Sequence, residues 1–355
     1  MDIYDYIALY KNTSFKELSF NEVDALILSL ISYVPFDELN KEKSSFKNEE
    51  LKSLIKSFDK NNVSNRKKMY LRLALDFLEA PRYKEAKFMF FKKIRDEESI
   101  KQFQAITIVF KNFAYISFCG TDATMLGWKE DLNMSYLETV PSEIEASKYA
   151  NFIRNRYPFK RLYLGGHSKG GRLAITASKN LTKTKRVAAI FSFDGPNYPS
   201  SFYDEKYNSI ESKILSYNPN ESIIGRLMIN RKKEKIISSS TKLLMQHDAF
   251  SWLVDNFSFI YLDNYSERST RIVNTINHSL TTFDEENKKA FIDVVFDFLY
   301  RLDAKNILDE KGLLIVIKDL LAKVWKVWKN TSKEDKAIIK KIIFGIGKDY
   351  LLNSK

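Results

Sequence analysis

The chain has 355 residues, of which 44% are hydrophobic and 14% are aromatic, and its formal net charge is +12. This share of apolar residues excludes general disorder, and the apolar runs are too short to span a bilayer. The length allows one large domain with an appended piece or two domains, and we favour the first arrangement.

The basic residues are spread widely, so we interpret most of them as solvated, lysine-rich surface. A positive surface can also meet an anionic membrane, and peripheral membrane contact is therefore one predicted interaction. The sequence contains no zinc-finger spacing, RNA-binding signature or Walker loop, so we expect no nucleic-acid partner. Residues 1–6 lack the pattern of a secretory signal and Cys119 is the single cysteine, which favours a cytoplasmic protein.

The first hundred residues have the spacing of helices. Apolar side chains recur on most turns of residues 21–34 and again in residues 63–78, which predicts an N-terminal helical segment. Residues 105–110 and 113–118 are β-rich and only two residues separate them, which predicts a hairpin.

A further helix is predicted over residues 141–156. Ser142 is followed three residues later by Glu145, as in a capping box, and Pro158 stands just beyond the end of the pattern. We therefore expect Ser142 to cap this helix at its N-terminus.

Strands and helices alternate in the middle of the chain. Residues 162–165, 187–193 and 213–217 predict buried strands, and residues 171–181 predict a helix between the first two. Such alternation indicates a largely parallel sheet, which binds ligands beyond the carboxyl ends of its strands. We predict that residues 1–265 form one α/β domain around this sheet.

Helical spacing replaces the strand signals in the last part of the chain, for example in residues 288–302 and 312–327. No internal repeat or low-complexity linker precedes it. We predict that residues 266–355 form a helical C-terminal extension.

The segment Gly166-His167-Ser168-Lys169-Gly170-Gly171 lies between a predicted strand and a predicted helix. This is the context of the G-x-S-x-G nucleophile elbow, in which the serine occupies a strained turn. Glycine at positions 166 and 170 avoids collisions with the strand and the helix. Ser168 is therefore the candidate nucleophile.

A serine nucleophile needs a base, and in this type of fold the chain order is serine, acid, histidine. Of the three histidines, His247 has the expected position, after the last predicted strand. His167 adjoins the serine and should point away from it, and His278 belongs to a polar helical stretch. We assign His247 as the general base.

Two carboxylates are candidates for the acid that orients the base. Asp194 follows the strand after the elbow and Glu221 follows the next strand, so both positions suit the topology. Ser222 is a further group able to hydrogen-bond the imidazole. We prefer Glu221 and retain Asp194 as the alternative.

Acyl transfer also needs N–H donors that stabilise the oxyanion. One is normally the N–H of the residue after the serine, here Lys169, and the other comes from a loop after an earlier strand. The segment Phe118-Cys119-Gly120-Thr121-Asp122 leaves such a strand, and we assign Thr121 as the second donor.

These two segments resemble class 3 (fungal-type) lipases. Residues 118–122, with Trp128 and Asp131, look like the R-G-T/S…W…D pattern of those lipases, and residues 166–171 are similar to their G-H-S-x-G-G elbow. Two positions depart from the family: Cys119 stands where these lipases usually carry arginine, and their third triad position aligns near residues 221–222.

Four further motifs resemble a bacterial lipase-like branch of the α/β-hydrolase superfamily; they are Trp128-Lys129-Glu130-Asp131, Phe193-Asp194-Gly195-Pro196, Ser222-Ile223-Ile224-Gly225, and Gln246-His247-Asp248 with Trp252. The resemblance spans residues 21–252. It implies an α/β-hydrolase fold, with Ser168 as nucleophile and His247 as base. It also implies an oxyanion hole formed by Thr121 and Lys169.

The residues and the resemblance together predict a serine esterase that cleaves an acyl lipid or lysophospholipid without a cofactor or metal. The alternatives are a noncatalytic protein that keeps the scaffold for binding, and a peptidase or acyltransferase that uses the same serine. Residues 223–245, between the acid and the base, are expected to form a lid.

Overall fold

The computed structural model describes residues 1–282, apart from 62, 123, 136, 229, 231 and 232, together with Lys333. The helices predicted at residues 288–302 and 312–327 lie outside the described residues. The described residues contain the whole of the predicted α/β domain except those six positions.

Helices of the N-terminal segment cover one face of the sheet. They are α1 (Ile3–Tyr10), α2 (Glu22–Ile31), α3 (Phe36–Leu39), α4 (Asn48–Ser57) and α5 (Asn65–Glu79). The helix α2 begins after Asn21, whose side-chain oxygen accepts the N–H groups of Val23 and Asp24. Nearly all of α2 is buried, and it packs against the central strands. These helices confirm the predicted N-terminal helical segment.

Eight of the described strands form one sheet; they are β1 (Lys87–Asp96), β2 (Lys101–Val109), β3 (Phe113–Phe118), β4 (Arg161–His167), β5 (Val187–Phe193), β6 (Ile214–Pro219), β7 (Glu234–Ile237) and β10 (Tyr261–Leu262). Their spatial order is β1-β2-β3-β4-β5-β6-β7-β10. The strands β3 to β7 are parallel, whereas β1, β2 and β10 pair antiparallel with their neighbours. A separate ribbon is formed by β8 (Val254–Asp255) and β9 (Ser258–Phe259).

The predicted hairpin is confirmed, because Val109 in β2 lies opposite Ala114 in β3. The predicted strands in the middle of the chain correspond to β4, β5 and β6. A mostly parallel sheet flanked by helices confirms the predicted α/β-hydrolase fold.

The remaining helices of the α/β domain are α6 (Met125–Asn133), α7 (Pro141–Arg156), α8 (Lys169–Lys179) and α9 (Glu205–Glu211). Because side chains alternate along a strand, adjacent residues of β3 enter different cores. Tyr115 belongs to the core shared with the N-terminal helices, whereas Ile116 belongs to the core that contains Leu173 of α8. Apolar layers therefore fill both sides of the sheet.

The helix expected over residues 141–156 is confirmed, but its cap differs from the prediction. Pro141 is its first residue, which places Val140 rather than Ser142 at the N-cap. The carboxylate of Glu143 accepts the Val140 N–H at 3.0 Å. Proline favours the first helical position because its missing N–H would have no partner there, and this sets the start of the helix.

The described part of the C-terminal extension is helix α10 (Glu267–Thr282). Asn277 of α10 accepts the Met228 N–H at 2.8 Å, so the helix lies against the loop that follows β6. The domain boundary after residue 265 stays a prediction. None of the described helices is both long enough and apolar enough to cross a bilayer.

Candidate active site

The candidate nucleophile lies at the tight turn between β4 and α8. The strand ends at His167 and the helix begins at Lys169, and Ser168 between them has φ 58° and ψ −133°. A positive φ is strained for a residue with a side chain. The Ser168 N–H donates to the carbonyl oxygen of Phe193 at 2.8 Å, which ties the turn to the neighbouring strand β5.

Glycines make this turn sterically possible. A methyl group at Gly170 would overlap the carbonyl oxygen of Phe118 at the end of β3, and one at Gly166 would overlap the backbone of Gly170. The structure therefore confirms that larger residues at positions 166 and 170 would collide with the strand and the helix.

His247 lies against the candidate nucleophile. Its Nε2 atom is 3.0 Å from the Ser168 Oγ atom, although the two residues are 79 positions apart. His247 ends a short 3-10 helix, Leu243–His247, which Trp252 anchors by donating its indole N–H to the carbonyl oxygen of Gln246 at 2.8 Å. About 30% of the His247 side chain is exposed, so the imidazole can be reached from solvent.

Asp194, the alternative acid, is the carboxylate that contacts His247. Its Oδ2 atom lies 2.6 Å from Nδ1 of His247. Its Oδ1 atom accepts the hydroxyl of Ser222 at 2.5 Å and the N–H of Gly225 at 3.1 Å. Burial alone would raise the pKa of Asp194, but the hydrogen bonds from His247 and Ser222 lower it. The carboxylate is therefore held in its ionised form.

The structure does not place Glu221, the acid preferred from the sequence, beside His247. Glu221 faces Gln246 instead: its N–H donates to Gln246 Oε1 at 3.0 Å, and its carboxylate accepts from Gln246 Nε2 at 3.4 Å. Both imidazole nitrogens of His247 are already occupied, one by Asp194 and the other by Ser168. Asp194 takes this place because it directly follows β5, the strand beside β4, and its positive φ of 50° marks a sharp turn there.

The two predicted oxyanion donors belong to segments that adjoin the turn. Lys169 is the first residue of α8, and the N–H groups of a first helical turn have no acceptor within the helix. Gly120, which precedes Thr121, approaches the turn so closely that a Cβ atom on it would lie 3.2 Å from Ser168 Cβ. The Thr121 hydroxyl donates to the carboxylate of Asp131 in α6, which orients the threonine.

The side chain of Lys169 has a separate, structural environment. It is buried, and its Nζ atom donates to the Gln102 carbonyl oxygen at 3.0 Å and to Glu130 Oε2 at 3.1 Å. The sequence predicted a role only for the N–H of Lys169, as an oxyanion donor. No spacing pattern in the sequence indicates the ion pair between Lys169 and Glu130. Among the described residues, no group of His, Cys, Asp or Glu side chains is arranged to hold a metal ion.

Two further residues reach the site from directions that the sequence does not reveal. The Nε2 atom of His167 lies 2.8 Å from the carbonyl oxygen of His247, and the centroids of the two imidazole rings are 4.7 Å apart. Tyr33, which follows α2, places its hydroxyl 3.3 Å from Nδ1 of His167. Because 134 positions separate these two residues, no local pattern could have found the contact.

The segment expected to form a lid is partly built into the sheet. Residues 234–237 are strand β7, which pairs in parallel with β6. The short helix Ile224–Arg226 supplies the Gly225 N–H to Asp194. The expectation of a lid is therefore wrong for residues 234–237, because backbone hydrogen bonds hold them in the sheet. It stays a prediction for the rest of the segment, in which Arg231 and Lys232 lie outside the described residues.

A comparison with protein families matches residues 77–297 to the family described as Mbeg1-like. The matched range is more than half of the chain. The chain belongs to the Mbeg1-like family. This family is lipase-like, so the lipase-like relationship expected from the motifs is confirmed. The matched range contains Ser168, Asp194 and His247 but begins after Tyr33.

Comparisons with individual proteins give only distant likenesses. No curated protein matches the chain. The native lipase of Rhizomucor miehei in its propeptide complex is 12% identical, with a TM-score of 0.36 over 45% of this chain and 59% of that chain. The M37 lipase is 13% identical, with a TM-score of 0.37 over 59% of this chain and 70% of that chain.

Proposed function

We propose that the chain is a serine hydrolase that cleaves carboxylic esters through an acyl-enzyme on Ser168. The observation that supports it most is the hydrogen-bonded series from Ser168 Oγ through the His247 imidazole to the Asp194 carboxylate, with distances of 3.0 and 2.6 Å. A serine hydroxyl becomes nucleophilic at neutral pH when an imidazole takes its proton and a carboxylate orients that imidazole.

Each group has a defined part in the proposed reaction. Ser168 Oγ attacks the ester carbonyl while its proton passes to Nε2 of His247, and Asp194 stabilises the imidazolium that forms. The N–H groups of Lys169 and Thr121 stabilise the negative charge on the carbonyl oxygen. The protonated His247 then gives its proton to the departing alcohol, which leaves the acyl group on Ser168.

Deacylation repeats these steps with water. His247 takes a proton from the attacking water, and the same oxyanion donors stabilise the second tetrahedral intermediate. When the bond between the acyl carbon and Ser168 Oγ breaks, the proton on His247 returns to the serine. The acid product leaves and the free enzyme is restored without any cofactor.

We propose an ester with an apolar acyl chain, such as an acyl lipid or lysophospholipid, as the substrate. Exposed apolar side chains stand on the segments next to the predicted oxyanion donor and the predicted base. Trp128 and Leu132 lie on α6, which carries Asp131 and so adjoins the oxyanion segment, and Met245 is two residues before His247. Such a surface favours contact with a lipid assembly, and the chain's excess of positive charge favours an anionic one.

Labelling with a fluorophosphonate tests the proposal directly, because this reagent reacts with an activated serine. Wild type should be labelled and Ser168→Ala should not, whereas Ser209→Ala, which removes an exposed serine on α9, should be labelled like wild type. A folded wild-type chain that is not labelled would overturn the proposal in favour of a binding scaffold. Labelling with cleavage of peptides but not of esters would overturn the ester class alone.

A further inference from the structure

Tyr33 links the N-terminal helices to the candidate active site. Its ring stacks on that of Tyr70 in α5, with ring centroids 4.7 Å apart and planes 7° from parallel. Its hydroxyl oxygen packs against Gly120, where a Cβ atom would overlap it. The same hydroxyl lies 3.3 Å from both Nδ1 and the carbonyl oxygen of His167.

The contacts of His167 define which of its nitrogens carries a proton. The carbonyl oxygen of His247 can only accept, so Nε2 of His167, 2.8 Å away, must be the donor. The neutral ring then has an unprotonated Nδ1, and the single hydroxyl proton of Tyr33 is shared between this nitrogen and the carbonyl oxygen of His167. Burial, and then the nearby charge of His247, lower the pKa of His167 to about 3, so the ring stays neutral at physiological pH.

These contacts join the three segments that carry the proposed chemistry. Gly120 immediately precedes Thr121, His167 immediately precedes Ser168, and the third contact is to the backbone of His247 itself. The oxyanion segment, the nucleophile elbow and the base are thus connected through two side chains. Neither side chain touches Ser168 Oγ in this network, so their action is indirect.

We propose that Tyr33 and His167 are positioning residues, which hold His247 and the oxyanion segment at the correct distance from Ser168. The inference rests on the proposed function, because it names residues that serve the same site. Tyr33 lies outside the range that matches the family, which begins at residue 77. The N-terminal helical segment would therefore be a working part of the active site as well as a cover for the sheet.

Substitutions of His167 separate positioning from simple packing. His167→Leu removes the donor to His247, whereas His167→Gln places an amide N–H near the former Nε2 position. We expect His167→Leu to slow fluorophosphonate labelling and to lower kcat roughly 10- to 100-fold with little change in KM, because misplacing a reacting group by about 1 Å costs about this much. We expect His167→Gln to restore the rate to within about threefold of wild type. Equal rates for both variants would overturn the role of His167.

A matched pair of tyrosine variants tests the other residue. Tyr83 is stacked on Phe77 and donates its hydroxyl to buried Asp24, so Tyr83→Phe removes a comparable hydroxyl from the same N-terminal segment. We expect Tyr33→Phe to lower the labelling rate about threefold to tenfold and Tyr83→Phe to lower only thermal stability. If both variants label equally fast, the positioning role of Tyr33 is wrong.

Nuclear magnetic resonance of ¹⁵N-histidine in the full chain tests the network without any substrate. Only three histidines contribute signals. His167 should remain in the neutral form with its proton on Nε2 between pH 5 and 8, and Tyr33→Phe should shift its Nδ1 resonance. Protonation of His167 near pH 6, or a proton on Nδ1, would overturn the network. This result is independent of labelling, so it stands even if Ser168 is unreactive or His167→Leu fails to fold.

Discussion

Nδ1 of His247 lies 2.6 Å from Oδ2 of Asp194, although 53 positions separate the two residues in the chain. The aspartate side chain is almost fully buried, whereas about 30% of the histidine side chain is exposed. A buried carboxylate with further donors from Ser222 and Gly225 has a fixed orientation. It therefore holds the imidazole in one direction while the opposite ring nitrogen faces Ser168.

Exchanging each carboxylate for its amide should distinguish the two candidate acids. We expect Asp194→Asn to lower the rate of Ser168 labelling by about 10⁴-fold, as the corresponding change does in other Ser-His-Asp enzymes, because it favours the wrong imidazole tautomer. Glu221→Gln should change the rate by less than about threefold, since Glu221 contacts Gln246 rather than His247. Labelling kinetics on folded samples measure both. Similar losses in the two variants would contradict the assignment of Asp194.

The pH dependence of stability should report on His167. Its pKa is lowered from 6.5 to about 3, mainly by burial and next by the charge of His247. The charge of Asp194 opposes this shift, and the charge of Arg66 adds a smaller lowering effect. The His167 imidazole binds a proton more readily in the unfolded chain than in the folded one. Its contribution to the free energy of unfolding is therefore complete above pH 6.5 and is lost as the pH falls towards 3.

Urea unfolding at pH 6.5 and pH 5 measures this effect. Between pH 6.5 and pH 5 we expect the wild-type free energy of unfolding to fall by about 1.5 kcal/mol more than that of His167→Gln, because the unfolded histidine is half protonated at pH 6.5 and almost fully protonated at pH 5. Identical pH dependence in the two proteins would mean that His167 is not held in its neutral form.

The buried ion pair between Lys169 and Glu130 should contribute strongly to folding. Both side chains are almost fully buried, so Glu130→Gln leaves the ammonium group without its main countercharge. We expect a loss of about 3 kcal/mol or more in the free energy of unfolding. The control is Glu50→Gln, which breaks the exposed pair with Lys43 and should cause no measurable change. A stable Glu130→Gln variant would show that other contacts compensate for the charge.

Exposed apolar residues beside the site should affect some substrates and not others. We expect Trp128→Ser to lower hydrolysis of a long-chain ester in anionic vesicles about tenfold, which corresponds to about 1.4 kcal/mol, and to leave a short soluble ester unaffected. Phe159→Ser is the control, because Phe159 is exposed but precedes β4, at the sheet edge opposite Ser168. Equal effects of the two variants on vesicles would argue against a lipid surface at α6.

Local sterics made the nucleophile elbow predictable from the sequence. The strand turns sharply into a helix at Ser168, and glycine is needed at positions 166 and 170 because any side chain there would overlap the neighbouring backbone. The apolar spacing of the adjoining segments predicted the strand and the helix for the same local reason. The chain order of a hydrolase fold then placed His247 without any knowledge of its contacts.

The choice between Asp194 and Glu221 required the tertiary structure, because both carboxylates follow parallel strands and reach the same edge of the sheet. Which one faces the imidazole depends on the turn after β5 and on the donors from residues 222 and 225, none of which has a distinctive spacing. The contact between Tyr33 and His167 was equally unpredictable from the sequence, because 134 positions separate the two residues. Local backbone geometry is encoded in neighbouring residues, whereas contacts between loops depend on how distant segments pack, and only the folded chain determines that packing.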